Sequence, residues 1–90
     1  MSAAPKLTLQ DLLLSLRQSV LDAIEHNDKN KLQDLKITFG RLVEEAYASH
    51  DDAVIAILVA LEDAARDALT GVSWKSDIPS VESVEKAIKS

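Results

Sequence analysis

The amino-acid sequence predicts an all-α fold: a small helical bundle of three main helices plus a short C-terminal helix, built around an αα-hairpin. The chain is 47% hydrophobic, yet its 90 residues include only two glycines and two prolines. A β fold needs more turn-forming residues than that. Apolar residues recur instead at helical spacing in four segments. A chain of this length corresponds to one domain, over residues 1–90, with an N-terminal tail at 1–7 and a connector at 72–79.

The first helix is predicted near residues 8–26. Thr8 and Asp11 have the spacing of an N-cap and the third residue of a helix. The run over 27–30, which contains two asparagines and an aspartate, suits a turn and ends the helix. The predicted core stripe of this helix is Leu9, Leu12, Leu13, Leu16, Val20, Ala23 and Ile24.

A second helix is predicted over residues 31–49, and with the first helix it forms the αα-hairpin. Its apolar residues alternate three and four positions apart, a spacing typical of antiparallel helix packing. Gly40 lies inside this helix, where it either lowers helix propensity or lets another helix approach closely. The predicted seam is Leu32, Leu35, Phe39, Leu42 and Ala46.

A third helix is predicted over residues 50–70, with Ser49 as its N-cap and Gly71 as the residue that ends it. The segment 54–61 taken alone resembles a buried strand, because it is short, apolar and rich in β-branched residues. Its apolar stripe stays in helical register through the alanine-rich segment that follows, and this favours a helix. The stripe is Val54, Ile57, Leu58, Leu61, Ala64, Ala65, Ala68 and Leu69.

The connector leads to a short fourth helix near residues 80–89, which Ser80 should cap. A helix this short is unstable alone, so we expect it to dock on the bundle. Trp74 in the connector has two interpretations. It either pins the connector onto the bundle or anchors a partner, as tryptophan often does at protein interfaces.

The charge pattern excludes several classes of protein. The formal net charge is −5 and the densest basic group is interrupted by acids, so we expect no binding to nucleic acid. The longest apolar run, 53–61, is too short to span a bilayer, and we expect no membrane partner. The chain has no cysteine, and residues 1–6 do not resemble a signal peptide. A cytoplasmic location is the expectation.

Several aliphatic residues fall outside the predicted core stripes. In the first helix they recur every seven residues, and in the third helix Ile55 and Val59 are four residues apart. Such a set exceeds the scattered aliphatic residues of an ordinary surface, so we predict that it contacts a second copy of the chain or another protein. With the connector tryptophan, the predicted interface is Leu7, Leu14, Leu21, Ile37, Ile55, Val59 and Trp74.

His26 and His50 are the only side chains that titrate near neutral pH in unperturbed form. Each has carboxylates nearby, but neither belongs to an HExxH or Glu-x-x-His motif. His26 is explained more simply as a partner of the helix C-terminus, and His50 as a linker residue. We therefore predict no metal, no cofactor and no catalytic residue.

The sequence favours a non-enzymatic protein–protein interaction module, an adaptor, scaffold or assembly subunit, with a homodimer as the expected state. One alternative is an acidic inhibitor or antitoxin-like protein that covers a basic surface of its partner. A third is a metal-dependent enzyme that uses histidine and carboxylate ligands. The acids available to the inhibitor are Asp11, Asp22, Glu25, Asp28, Glu44, Glu45, Asp51, Asp52, Asp63 and Asp67.

Overall fold

The computed structural model of the chain describes residues 9–49 and 51–89. Its elements are α1 (Leu9–Glu25), α2 (Lys29–Ser49), α3 (Asp52–Thr70) and α4 (Val81–Lys89). Within the described ranges all regular structure is helical, and segment 54–61 lies inside α3. The all-α prediction is confirmed, and each helix begins and ends within two residues of its expected position.

The turn between α1 and α2 follows from two residues of the 27–30 run. Asn27 adopts a left-handed conformation with φ of 51°, which asparagine tolerates better than most residues. Asp28 Oδ1 then accepts a hydrogen bond of 3.0 Å from the Lys31 backbone N–H. Asp28 is therefore the N-cap of α2, and the helix begins at Lys29, two residues earlier than predicted. The predicted N-cap of α1, Thr8, lies outside the described residues.

The prediction that Ser49 caps α3 is wrong. Ser49 is the last residue of α2, and its hydroxyl donates to the Ala46 carbonyl at 3.0 Å. The cap is Asp51, whose Oδ1 accepts from the Val54 backbone N–H at 3.2 Å. Both residues have side chains suited to capping, and the spacing of the acids in this segment did not distinguish them.

The predicted ends of the remaining helices are confirmed. Gly71 follows α3 with φ of 79°, a left-handed conformation that glycine adopts without strain. The Val72 backbone N–H then donates to the Asp67 carbonyl at 2.8 Å, the six-to-one bond of a Schellman ending. Before α4, the Ser80 hydroxyl accepts from the Ser83 backbone N–H at 3.1 Å.

The core lies between α1, α2 and α3, and the interface of α2 with α3 dominates it. These two helices share the most extensive interface of the bundle, so the tightest hairpin is α2–α3 rather than α1–α2. Phe39, Leu61 and Val20, one from each main helix, are completely buried.

The surroundings of Gly40 show which explanation of this glycine holds, a close helix approach or a tolerated cost in helix propensity. A Cβ atom there would meet its nearest neighbour, Glu62 Oε2, at an ordinary 3.5 Å, so no close helix approach requires glycine.

The short α4 docks on α1 and α3, as expected for a helix that cannot stand alone. Val84, at its centre, is completely buried. The segment leading into α4 is held by Arg17 of α1, whose Nε donates to the Pro79 carbonyl at 2.7 Å in a half-buried position. In the described part of the chain, no helix combines the length and apolarity needed to cross a membrane.

Candidate functional site

The structure separates the predicted interface residues into several environments. Ile55 is only 8% exposed and belongs to the core, so its assignment to a surface patch is wrong. Leu14 and Val59 are half-buried and pack against that core. Leu21 is half-buried, and Leu7 lies outside the described residues. Ile37 is exposed, but the residues three and four positions from it on α2 are polar or glycine, so α2 offers no apolar patch around it.

The fourth helix packs on α1, the helix that carries Leu14 and Leu21. Leu14, Arg17 and Leu21 are three and four residues apart and share a face of α1. Because Arg17 bonds the Pro79 carbonyl, that face receives the segment that leads into α4. The sequence pattern identified the extra apolar residues, but it could not show that the chain's own C-terminal helix docks beside them.

Trp74 is half-buried and packs against the core. Its carbonyl accepts bonds from the backbone N–H groups of Asp77 at 2.9 Å and Ile78 at 3.3 Å, which close the connector into a turn. The side chain lines a depression of about 500 Å³ beside Leu32 and Ala68. These contacts support the interpretation that Trp74 pins the connector onto the bundle.

The exposed aliphatic residues are elsewhere, at the start of α1. Leu9 is 45% exposed and Leu12 is 38% exposed, although both were predicted to be core residues. The buried residues of α1 are Leu13, Val20 and Ala23. The predicted stripe was wrong at its first turn because Leu9 and Leu12 lie at the end of the bundle where the neighbouring helices leave a gap.

This gap is an apolar groove of about 240 Å³ between the start of α1, the end of α2 and the start of α3. We call it the three-helix groove. Most of its wall is aliphatic, and its polar groups come from the end of α2 and the cap of α3. Its lining residues are Leu9, Leu12, Leu13, Leu16, Leu42, Glu45, Ala46, Ser49, Asp51, Val54 and Leu58.

The electrostatics of the three-helix groove are acidic. Glu45 and Asp51 line it, with Glu44 and Asp52 next to them in the chain and exposed. No lysine or arginine occurs among the described residues that line it. The last turn of α2 also lacks a basic residue.

A second acidic group lies at the opposite end of α3. Asp77 is half-buried, and its Oδ2 atom is closed off from solvent without a hydrogen-bond donor. The Asp67 carboxyl raises the pKa of Asp77 by favouring its protonated form, which can donate a hydrogen bond to Asp67, and desolvation and the charges of Asp67 and Asp63 raise it further. Arg66, which forms an ion pair with Asp63, acts in the opposite direction. This group joins the connector to α3.

His26 directly follows α1, and its Nδ1 donates to the Asp22 carbonyl at 2.8 Å. This is the helix-end role that the sequence indicated. Over residues 9–49 and 51–89, no three His, Cys, Asp or Glu side chains are grouped so that they could hold a metal ion. His50 lies outside those ranges.

Comparison of the chain with protein-family models, with curated proteins and with solved structures finds no match.

Proposed function

We propose that this protein is a non-enzymatic protein–protein interaction module, and that the three-helix groove receives a helix of its partner. The observation that carries the proposal is the exposure of Leu9 and Leu12 beside a mostly aliphatic concavity. Contiguous apolar surface with a polar edge is typical of interaction sites on small soluble proteins.

The size of the groove suits one or two aliphatic side chains better than a drug-sized ligand. Sites for drug-sized ligands and cofactors occupy roughly 300–1,000 Å³, and this groove has about 240 Å³. An engineered apolar cavity of about 150 Å³ holds one benzene molecule. The three-helix groove therefore accommodates one or two large aliphatic side chains. Two such side chains four residues apart on an amphipathic helix are a common way for a helix to dock in a groove.

A second copy of the chain is the alternative occupant. The residues that first suggested a homodimer now support it less, because Ile55 is buried and Leu14 and Val59 pack against the core. Self-association through the groove would make the module a homo-oligomer. The experiment below distinguishes the two occupants.

The test is site-specific photo-crosslinking in the native host. A photoreactive amino acid replaces Leu12 in the groove or, as a matched control, Ile37, an exposed aliphatic residue on α2 that does not line the groove. We expect a discrete crosslinked species from position 12 and not from position 37. A second variant carries the photoreactive group at Leu9 and Leu12→Gln, and there the species should weaken.

Three outcomes would contradict the proposal. Equal crosslinking from positions 12 and 37 would show that the groove has no special role. The absence of a discrete crosslinked product from position 12 would contradict the proposal that the groove binds a partner. A product made only of two copies of this chain would replace the heterologous partner with a homodimer.

A further inference from the structure

We infer that the occupant of the three-helix groove is a cationic amphipathic helix, one whose aliphatic side chains enter the groove and whose lysines or arginines meet its acidic edge. This inference rests on the proposed function and adds the chemical class of the partner. It also combines the interaction module with the idea of an acidic protein that covers a basic surface.

The support is the sign of the charge at the groove. Glu45 and Asp51 line it, Glu44 and Asp52 adjoin them, and no described basic side chain lines it to neutralise them. An acidic partner helix would meet like charges across the interface, which is strongly unfavourable, whereas a cationic helix would meet complementary ones.

The helix ends at the groove do not set the sign of the partner charge. The end of α2 carries a partial negative charge with no basic residue in its last turn, whereas the starts of α1 and α3 carry partial positive charges. The preference for a cationic partner therefore rests on the carboxylates.

The same charges argue against a lipid surface as the occupant. Cytoplasmic membrane surfaces are anionic and attract polybasic segments. The acidic edge of the groove would repel such a surface. A peptide helix supplies both the apolar side chains and the cations that the groove lacks.

The test uses three synthetic peptides of about 18 residues, long enough to form a helix with some stability. The first has leucines at helical i, i+4 spacing and lysines elsewhere. The second has the same leucines with glutamates in place of lysines. The third has the composition of the first in scrambled order, so that its leucines share no face. Binding to the full chain is measured by fluorescence anisotropy at two salt concentrations.

Two double variants separate the groove charges from the overall acidity. Glu45→Gln with Asp51→Asn removes both charges that line the groove, and asparagine retains the capping of α3. Glu25→Gln with Glu82→Gln removes two exposed charges outside the groove and has the same net charge. A single change, Leu12→Gln, tests the apolar contact, and Ile37→Gln is its control.

We expect the leucine–lysine peptide to bind and the other two to bind at least about tenfold more weakly. The groove double variant should weaken that binding roughly three- to tenfold, and added salt should weaken it in the wild type. The outer double variant and Ile37→Gln should leave binding unchanged. Leu12→Gln should weaken it with helicity retained by circular dichroism, and Leu9→Gln repeats the test if Leu12→Gln unfolds.

The contradicting results differ for the two proposals. If the lysine and glutamate peptides bind equally and Leu12→Gln weakens both, the charge inference fails and the groove function stands. If both double variants weaken binding equally, the attraction is non-specific and the inference fails. If no peptide binds, the inference also fails, while a discrete crosslink from position 12 would still support the interaction module. Wild-type dimers that Leu12→Gln dissociates would make a second copy the occupant.

Discussion

The apolar residues at the two ends of the bundle differ in how far they are exposed. At the end where α3 finishes, the chain turns back through Gly71, and Trp74 covers the core beside Leu32, which is only 2% exposed. At the other end, where α3 begins, no described segment covers the gap, and Leu9 and Leu12 remain exposed beside it.

The difference shows that burial in a small bundle depends on where the extra chain goes. A domain of this size buries a limited share of its surface, so one covering segment decides which end becomes core. Here the connector and α4 serve the end of α3 and the side of α1, and Arg17 fixes them by its bond to Pro79. Among the described residues both ends keep a concave surface, but the one beside Trp74 is lined partly by Ser73 and Lys75 of the connector, whereas the wall of the three-helix groove is mostly aliphatic.

The largest expected effect compares a leucine from each end. Leu32→Ala should lower the free energy of unfolding by about 2–5 kcal/mol, because it removes a buried side chain and leaves a cavity. Leu12→Ala should lower it by about 1 kcal/mol or less, since this side chain is partly exposed and its loss creates no closed cavity. Urea denaturation measures both. Equal losses would mean that the groove end is as well packed as the covered end.

The turn that leads to the covered end provides the next comparison. Gly71→Ala should destabilise the fold by about 1–2 kcal/mol, because alanine is strained at a φ of 79°. Gly40→Ala is the matched control. Gly40 lies within α2 and an added Cβ has ordinary space, so the change should be neutral or stabilising by up to about 1 kcal/mol. The midpoint of thermal unfolding should therefore fall for Gly71→Ala and stay unchanged or rise for Gly40→Ala. A loss of stability in both variants would argue against the left-handed turn as the cause.

A smaller effect should appear in the pH dependence of the free energy of unfolding, through Asp77 at the end of the bundle where α3 finishes. The folded state raises the pKa of Asp77 above its ordinary 3.8, chiefly through the hydrogen bond with Asp67. The stability that this carboxyl contributes is therefore complete below its ordinary pKa, and it is lost as pH rises through the raised value. Asp77→Asn removes this titration, so the variant should gain stability relative to the wild type as pH rises from about 3.8. Urea denaturation at several pH values measures the difference in free energy of unfolding between Asp77→Asn and the wild type. A difference that does not change with pH would contradict the raised pKa of Asp77.

Local signals in the sequence predicted most of the fold. The helices, the left-handed residue Gly71 and the Ser80 cap depend on neighbouring residues, and all of them are confirmed. The choice between Ser49 and Asp51 as a cap was not local in that sense, because it depends on where α2 ends.

The candidate site was harder to predict for a physical reason. Periodicity marks which residues share a face of a helix, but it does not show whether another element reaches that face. Leu9 and Leu12 have core spacing and yet lie beside a gap, while Ile55 is off the predicted stripe and is buried. The tertiary packing of the helices distinguishes these cases, and periodicity along one helix does not report it.

The central claim is that the end of the bundle where α3 begins is the binding end. Methyl-detected NMR of the full chain, titrated with the leucine–lysine peptide, tests it most directly. We expect chemical-shift changes in the methyl groups of Leu12, Leu42 and Val54, which line the three-helix groove, and little change at Ile78 or Val84. Shifts concentrated at Ile78 and Val84, with the groove methyl groups unchanged, would contradict the account.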